Sequence, residues 1–460
     1  MDEDILLSSD TDLDFSFTSC ASNTSTDRTF TSSSARSSLS VSFNESRLSS
    51  STGVGRPHRK SDPHWAAIKA ATNLSSDGSL HLSQLKLVRH IGSGNLGRVF
   101  LCRLEDYDGA NFALKVVDKD VLTAKKLSHV QMEAQVLSMV DHPFLPTLYA
   151  HLEESHYSCL LIDYCPGGDL HSLLRKQPTH RFRVDSVRFF AAEVLVALEY
   201  LHALGVVYRD LKPENVLIRD DGHIMLSDFD LCFRADVLPT LDKRHFHPAG
   251  VESTKKQPTC FGTVSRRRKM TEVAEFVAEP TTAFSKSCVG THEYLAPELL
   301  SGNGHGNGVD WWAFGVFIYE LLYGQTPFKG GSKEATLRNI ASTKSFRFRD
   351  CGRADEEEEG ISEARDLIQR LLVKDPRRRL GYAKGATEIK QHPFFKRIKW
   401  PLIRSYRPPE EVRGLVKKKV THVRNVNIVS LSSRRSRTRW SWKNFHHFSL
   451  STKNGGHEWI

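Results

Sequence analysis

The stretch YRDLKPEN, Tyr208 to Asn215, sets a carboxylate (Asp210), an amine (Lys212) and a carboxamide (Asn215) within one short loop, and thirteen residues later LSDFDLCF (226–233) adds a second carboxylate, Asp228. Phosphoryl transfer asks a protein for positioning and charge neutralisation more than for covalent chemistry, and these groups supply both. In that reaction Asp210 would accept the proton of a substrate hydroxyl and Lys212 would steady the γ-phosphate of ATP. Asn215 and Asp228 would hold Mg2+ against the phosphate oxygens. One residue departs from the expected pattern: Asp230 stands two positions after Asp228, where a glycine would give the loop an easy left-handed backbone. The expectation is a loop that flips less readily, with its cation-binding carboxylate intact.

Toward the N-terminus, Gly92-Ser93-Gly94-Asn95-Leu96-Gly97-Arg98-Val99 fits G-x-G-x-x-G-x-V. A dinucleotide-binding turn has the same glycines but opens a helix, whereas here the alternating RVFLCRL continues as a strand, so the loop reads as a hairpin over phosphates. Ile91, Gly92, Gly94, Gly97 and Val99 are therefore expected at the nucleotide. Lys115 in FALKVV has the spacing of a lysine on the α- and β-phosphates, and Glu133, on the helical stretch 127–140, is placed to pair with it. Each alone would read as a solvated surface residue. Ala296-Pro297-Glu298 and DWWAFG from Asp310 complete the set, with Glu298 expected to pair with Arg379 of KDPRRRL in a structural role. Period-two strands come first and period-3.6 helices after, Val187, Phe190, Val194, Leu198 and Leu201 sharing one face and Gly205 closing that helix. The fold class is thus α+β and bilobal, a small β-sheet lobe with one main helix joined to a larger helical lobe.

From Leu85 to Phe395 the chain resembles a protein kinase of the AGC group, on YRDLKPEN, HPFLPTLY and DWWAFGVFIYELLYG. SDFDL and the insertion before APE resemble the plant AGC subfamily that includes the PINOID and WAG kinases, and ARSSLSVSFN, SHYSCLLIDYCPGGDLHSLLRKQP and AFSKSCVGTHEYLAPEL look closest to the WAG branch. The resemblance implies a serine/threonine kinase that uses Mg-ATP, acts on the hydrophilic loop of PIN auxin-efflux carriers and so regulates auxin transport. It also implies an active Asp-Phe-Asp loop. Asp163, Tyr164 and Cys165 would form the hinge at adenine. Asp169, Glu214 and Glu320 match acidic positions that receive arginines ahead of the target residue; alternative roles are the ATP ribose for Asp169 and a plain ion pair for Glu320. Ser287 matches the activation-loop phosphosite with Arg209 as partner, and Ser285 is a neighbouring alternative. Phe445 and Phe448 of FHHFS fit a docking motif for the small lobe or for an upstream phosphoinositide-dependent kinase.

Net charge is +10 over 460 residues, and its distribution is uneven. Lys243–Lys269 holds eight Lys/Arg against Glu252 alone, and Arg413–Lys443 ten against none, so these two segments carry +17 and the remainder −7. A mildly acidic body with two basic arms argues against a built-in nucleic-acid groove and for anionic membrane lipid, where each basic residue contributes about 1 kcal/mol. Nuclear import is the competing reading of the same arms. Residues 1–53 include 24 Ser/Thr and few large apolar groups, too little to offset the entropy of ordering. The expected organisation is a disordered extension over 1–84, a kinase domain over 85–395 (small lobe and hinge 85–165, large lobe 166–395, basic surface insertion 233–284) and a basic tail over 396–460. The eight scattered cysteines form no C-x-x-C pair, MDEDILLSSD is no signal peptide, and WWAFGVFIYELLYG is too short to span a bilayer. A monomer in the cytoplasm and at the cytoplasmic face of the plasma membrane, with the nucleus as a further location, follows as the expectation. The competing class is a catalytically silent membrane-bound scaffold.

Overall fold

The structure is a computed structural model that describes residues 62–105, 107–246, 271–342, 346–348 and 358–412. The docking motif at Phe445 and Phe448, the basic run after Arg413 and the centre of the insertion lie outside the described residues.

Five antiparallel strands form the small-lobe sheet in the order β1-β2-β3-β5-β4: β1 Leu85–Ser93, β2 Arg98–Leu104, β3 Tyr107–Asp118, β4 Leu148–Glu153 and β5 Tyr157–Asp163. Between β3 and β4 lies α2, Ala124–Met139, whose N-cap Thr123 accepts a hydrogen bond from the Lys126 amide. One face of α2 is buried, and Val130 meets Leu96 and Val117, so the glycine loop rests on this helix.

An earlier helix, α1 Pro63–Asn73, corrects the expected boundary at residue 84. Asp62 caps it, accepting from the His64 amide at 2.9 Å, and Pro63 begins it. Ile68 enters the cluster of Phe100, Phe112 and Leu161, while Trp65 lies 5.8 Å from the Tyr149 ring. A helix with one large buried aliphatic residue presents little periodicity, and its stability comes from docking on the sheet. Its readable sign was the Asp-Pro start.

In the large lobe, α4 Val184–Ala203 and α6 Gly308–Tyr323 cross the core, and Val309 through Tyr323 are buried without a break. The chain leaves α4 through Gly205 at φ +76, where an added Cβ would stand 2.1 Å from the Ala235 carbonyl oxygen, so only glycine fits. Short strands β6 Gly168–Asp169, β8 Val216–Ile218 and β9 Ile224–Leu226 form a second sheet that carries the chain on to Asp228. The pair β7 Val206–Val207 and β10 Phe233–Arg234 brackets the catalytic loop and the Asp228 turn.

The insertion also departs from expectation, because its ends are ordered. β11 Thr240–Phe246 pairs with β12 Thr271–Val277 as an antiparallel ribbon. The ribbon's return strand is tied to a short helix, α9 Ala386–Lys390: Thr387 Oγ1 donates to the Phe276 carbonyl at 3.3 Å and Gln391 Nε2 to Glu275 Oε1 at 2.7 Å. Past Phe395 the chain packs along the large lobe, with Arg404 paired to Asp221 and Ser186 Oγ donating to Glu411 Oε1 at 2.9 Å. Among the described residues no helix is long and apolar enough to cross a membrane.

Candidate active site

Gly97 closes the β1–β2 hairpin by accepting at its carbonyl from the Gly94 amide, 2.9 Å, and it passes so close to β3 that a Cβ would sit 2.3 Å from the Val116 carbonyl oxygen. A Cβ added at Gly92 or Gly94 would meet open space, so packing within the protein does not demand glycine there. Val99 pairs in register with Lys115 and shares its face of the sheet; Ile91 and Val99 are half-buried.

Lys115 Nζ donates to both Glu133 oxygens, at 2.9 and 2.7 Å, and to Asp228 Oδ1 at 3.0 Å. Burial alone would push its pKa down, but Glu133 and Asp228 outweigh that and raise it, so the amine is held charged. Asp228 is half-buried, and although partial burial opposes ionisation, Lys115, and further off Lys212, keep its carboxyl below the ordinary value. It occupies left-handed backbone at φ 59, which aims the carboxylate at the lysine.

Asp210 is 5% exposed and held on every side. Its Oδ2 accepts from Lys212 Nζ and from Asn215 Nδ2, both at 2.8 Å; its Oδ1 accepts from the Thr291 amide at 3.2 Å and hydroxyl at 3.1 Å. Lys212 Nζ also donates to Thr291 Oγ1 at 2.8 Å. Asn215 spends its amide hydrogens on Asp210, which leaves its Oδ1 as the atom able to meet a cation. That oxygen and the Asp228 carboxylate are hard ligands of the number Mg2+ takes from a protein when phosphates complete its shell.

Backbone geometry in the loop is set from beneath. Asp310 accepts from the Tyr208 and Arg209 amides, both at 2.8 Å, and the Tyr208 hydroxyl donates to the Ser227 carbonyl. Sequence reading missed Thr291 and this use of Asp310; the available signals were a threonine in the run just before APE and an acid opening an otherwise apolar helix.

The remaining expected residues divide. Asp163 Oδ2 accepts from the Thr147 amide at 2.7 Å and its Oδ1 lies 3.0 Å from the Tyr149 hydroxyl, so this hinge side chain braces the strand behind it. Cys165 Sγ meets Met225 Sδ at 3.5 Å. Both Asp169 oxygens bind Ser172, through its amide and its hydroxyl at 2.7 Å each, capping α3 Leu170–Arg175. Glu214 and Glu320 do come together beside that helix: His171 lies 3.9 Å from Glu214, Arg175 lies 3.9 Å from Glu320, and Tyr294 donates to Glu320 at 2.5 Å. Burial and the neighbouring Glu214 raise the Glu320 pKa.

Arg209 Nη1 donates to Ser285 Oγ at 3.3 Å, and the exposed Ser287 sits one hydroxyl farther out, 3.1 Å from Ser285. Glu298 and Arg379 form the expected bidentate pair at 2.6 and 2.9 Å.

Asp230 gives a different result from the one expected. Positive φ falls on Asp228 and not on Asp230, so the missing glycine costs no backbone strain in this conformation. Its cost is electrostatic. Asp230 is 8% exposed with one carboxylate oxygen buried and unpartnered, and burial together with Asp228 pushes its pKa up to about 7.

The protein kinase domain family matches residues 85–244 and 269–395, passing over the middle of the insertion. Serine/threonine-protein kinase WAG1 of Arabidopsis thaliana is 62% identical over 94% of this chain and 91% of its own, and WAG2 of the same plant is 60% identical over 95% and 92%. Protein kinase PINOID of Oryza sativa subsp. japonica is 50% identical over 77% and 74%. With its amine and carboxylates gathered as phosphoryl transfer requires, the chain belongs to the protein kinase family, as a serine/threonine kinase of the WAG type within the plant AGC group.

Proposed function

We propose that this kinase transfers the γ-phosphate of ATP to serine or threonine preceded by Arg or Lys in the hydrophilic loop of PIN auxin-efflux carriers, and thereby regulates auxin transport. The observation that carries the catalytic part is the convergence of Lys115, Glu133 and Asp228 from two lobes above the caged Asp210. Asp210, oriented by Asn215 and Thr291, takes the hydroxyl proton, while Lys212 bridges Asp210 and Thr291 where it can meet the transferred phosphate. Lys115, fixed by Glu133, orients the nucleotide phosphates. Mg2+, when bound through Asn215 Oδ1 and Asp228, supplies neutralisation of phosphate charge.

Support for a basic target comes from the exposed acid Glu214 with the buried Glu320 behind it, the second already 3.9 Å from the Arg175 guanidinium, so a guanidinium is a partner these acids accept. The two basic segments favour the cytoplasmic face of the plasma membrane, where such a carrier loop lies. Activation by an upstream phosphoinositide-dependent kinase at Ser287 or Ser285, and action as a monomer, belong to the same reading.

Purified chain and its Asp228→Ala variant, given Mg-ATP with a carrier loop or with an Arg-containing serine peptide, test it. Transfer to both by wild type and to neither by the variant is expected. Transfer to the peptide alone would refute the carrier assignment; transfer to neither would refute the catalytic account.

A further inference from the structure

His202 on α4 is fully buried with a carboxylate at each ring nitrogen: Nδ1 is 2.7 Å from Glu279 Oε2 and Nε2 is 2.8 Å from Asp310 Oδ2. A neutral imidazole donates only once, so two ionised carboxylates on opposite sides require the doubly protonated ring. Asp310 is the group that clamps the catalytic-loop amides of Tyr208 and Arg209. Glu279 comes from elsewhere in the chain, two residues beyond β12, at the root of the insertion.

Glu279 sits in a fitted receptor and is only 6% exposed. Its Oε2 also accepts from Asn307 Nδ2 at 2.8 Å, and its Oε1 from the Ala386 amide at 3.2 Å. Gly385 lines the notch; a Cβ there would stand 1.6 Å from Glu279 Oε1. The glutamate is therefore enclosed from α4, from the start of α6 and from the start of α9.

We propose that Glu279 is a positioning residue for phosphoryl transfer, holding the catalytic loop through His202 and Asp310. The insertion is thus rooted in the support of the loop it precedes in space. If Glu279 is neutralised, His202 loses one of the two charges that keep it protonated, Asp310 faces a weaker partner, and its hold on the two amides slackens. Asp210, one residue beyond Arg209, then loses alignment with no change in the groups that meet ATP. This rests on the chain's kinase activity but not on the carrier assignment, so the basic peptide serves as substrate.

The test uses full-length Glu279→Gln and the milder Asn307→Ala. Misplacement of a reacting group by a fraction of an ångström or more costs between a few-fold and about 100-fold, and a fall in kcat of about 10-fold is expected for Glu279→Gln, with a smaller fall for Asn307→Ala and KM for ATP within about two-fold for both. Amide exchange at Tyr208 and Arg209 should speed up in both variants while exchange in the β1–β5 sheet stays unchanged. His202→Gln with Glu279→Gln should lower kcat no further than His202→Gln alone, because the two act in series. Unchanged exchange at Tyr208 and Arg209, additive losses in the double variant, or a fall in activity matching only the unfolded fraction would overturn the proposal; Asn307→Ala decides if Glu279→Gln does not fold.

Discussion

The two halves of the active site are held by different physics. Above, Lys115, Glu133 and Asp228 are three charged groups tied to one another across the lobes, with Lys115 the common partner. Below, Asp210 is fixed within one lobe by Lys212, Asn215 and Thr291, and the amides of the two residues before it, Tyr208 and Arg209, are clamped by Asp310 on a helix buried from Val309 to Tyr323. Charges joined across a cleft reorganise when the lobes shift, whereas the lower cage cannot open without disturbing the core. The upper half is the adjustable one, and substitutions there should act on nucleotide engagement; those below should act on the chemical step.

The sharpest way to break this comparison is Asp210→Asn. It keeps the size of the side chain and removes the proton acceptor, so kcat should fall on the order of 10³-fold with KM for ATP nearly unchanged. Steady-state phosphorylation of a basic peptide reads both constants. A large rise in KM with kcat preserved would show that the lower cage serves the nucleotide after all.

A smaller effect separates direct from indirect action in the upper half. Lys115→Met should reduce kcat/KM by roughly 100-fold, and Glu133→Gln by about 10-fold, since the glutamate reaches the nucleotide through the lysine. The double variant should be no worse than Lys115→Met alone. Losses that multiply would mean that Glu133 has a second function.

How much of this could be read in the chain depends on how each feature is encoded. The convergence of Lys115 with Glu133 and Asp228, and of Asp210 with Lys212 and Asn215, was legible because phosphoryl transfer asks for charges of these signs in this order along the chain. The Glu298–Arg379 pair was legible for a similar reason, its motifs being distinctive. Thr291 and Glu279 were hidden, since a threonine and a glutamate in loops carry no periodicity and acquire meaning from Asp210 and His202, each more than seventy residues away. Asp169 was legible only in part, because an aspartate before a helix fits both a binding role and an N-cap; the structure adds the cap, with Ser172 bonded to both oxygens, and each oxygen keeps a further lone pair. Asp230 shows a third kind of limit: the sequence displayed the missing glycine, but whether the cost fell on backbone or on charge depended on which residue took positive φ.

The smallest expected effect concerns the foundation of the lower half. His202 faces Glu279 and Asp310, with the Trp311 ring 4.7 Å away; burial opposes its protonation, but Glu279 first and then Asp310 overcome this and raise its pKa to about 10. In the unfolded chain the same histidine titrates near 6.5, the ordinary value of a free imidazole. Above that value the folded state binds the extra proton, so the contribution is full below pH 6.5 and is lost as pH rises toward 10. The slope from this one group cannot exceed about 1.4 kcal/mol per pH unit. Denaturant unfolding at intervals from pH 7 to 10 should show this decline in the wild type and a flatter profile in His202→Gln, whose stability deficit is largest at pH 7. Parallel profiles would mean that His202 is neutral in the folded chain, and the lower half would then have no buried cation beneath the catalytic loop.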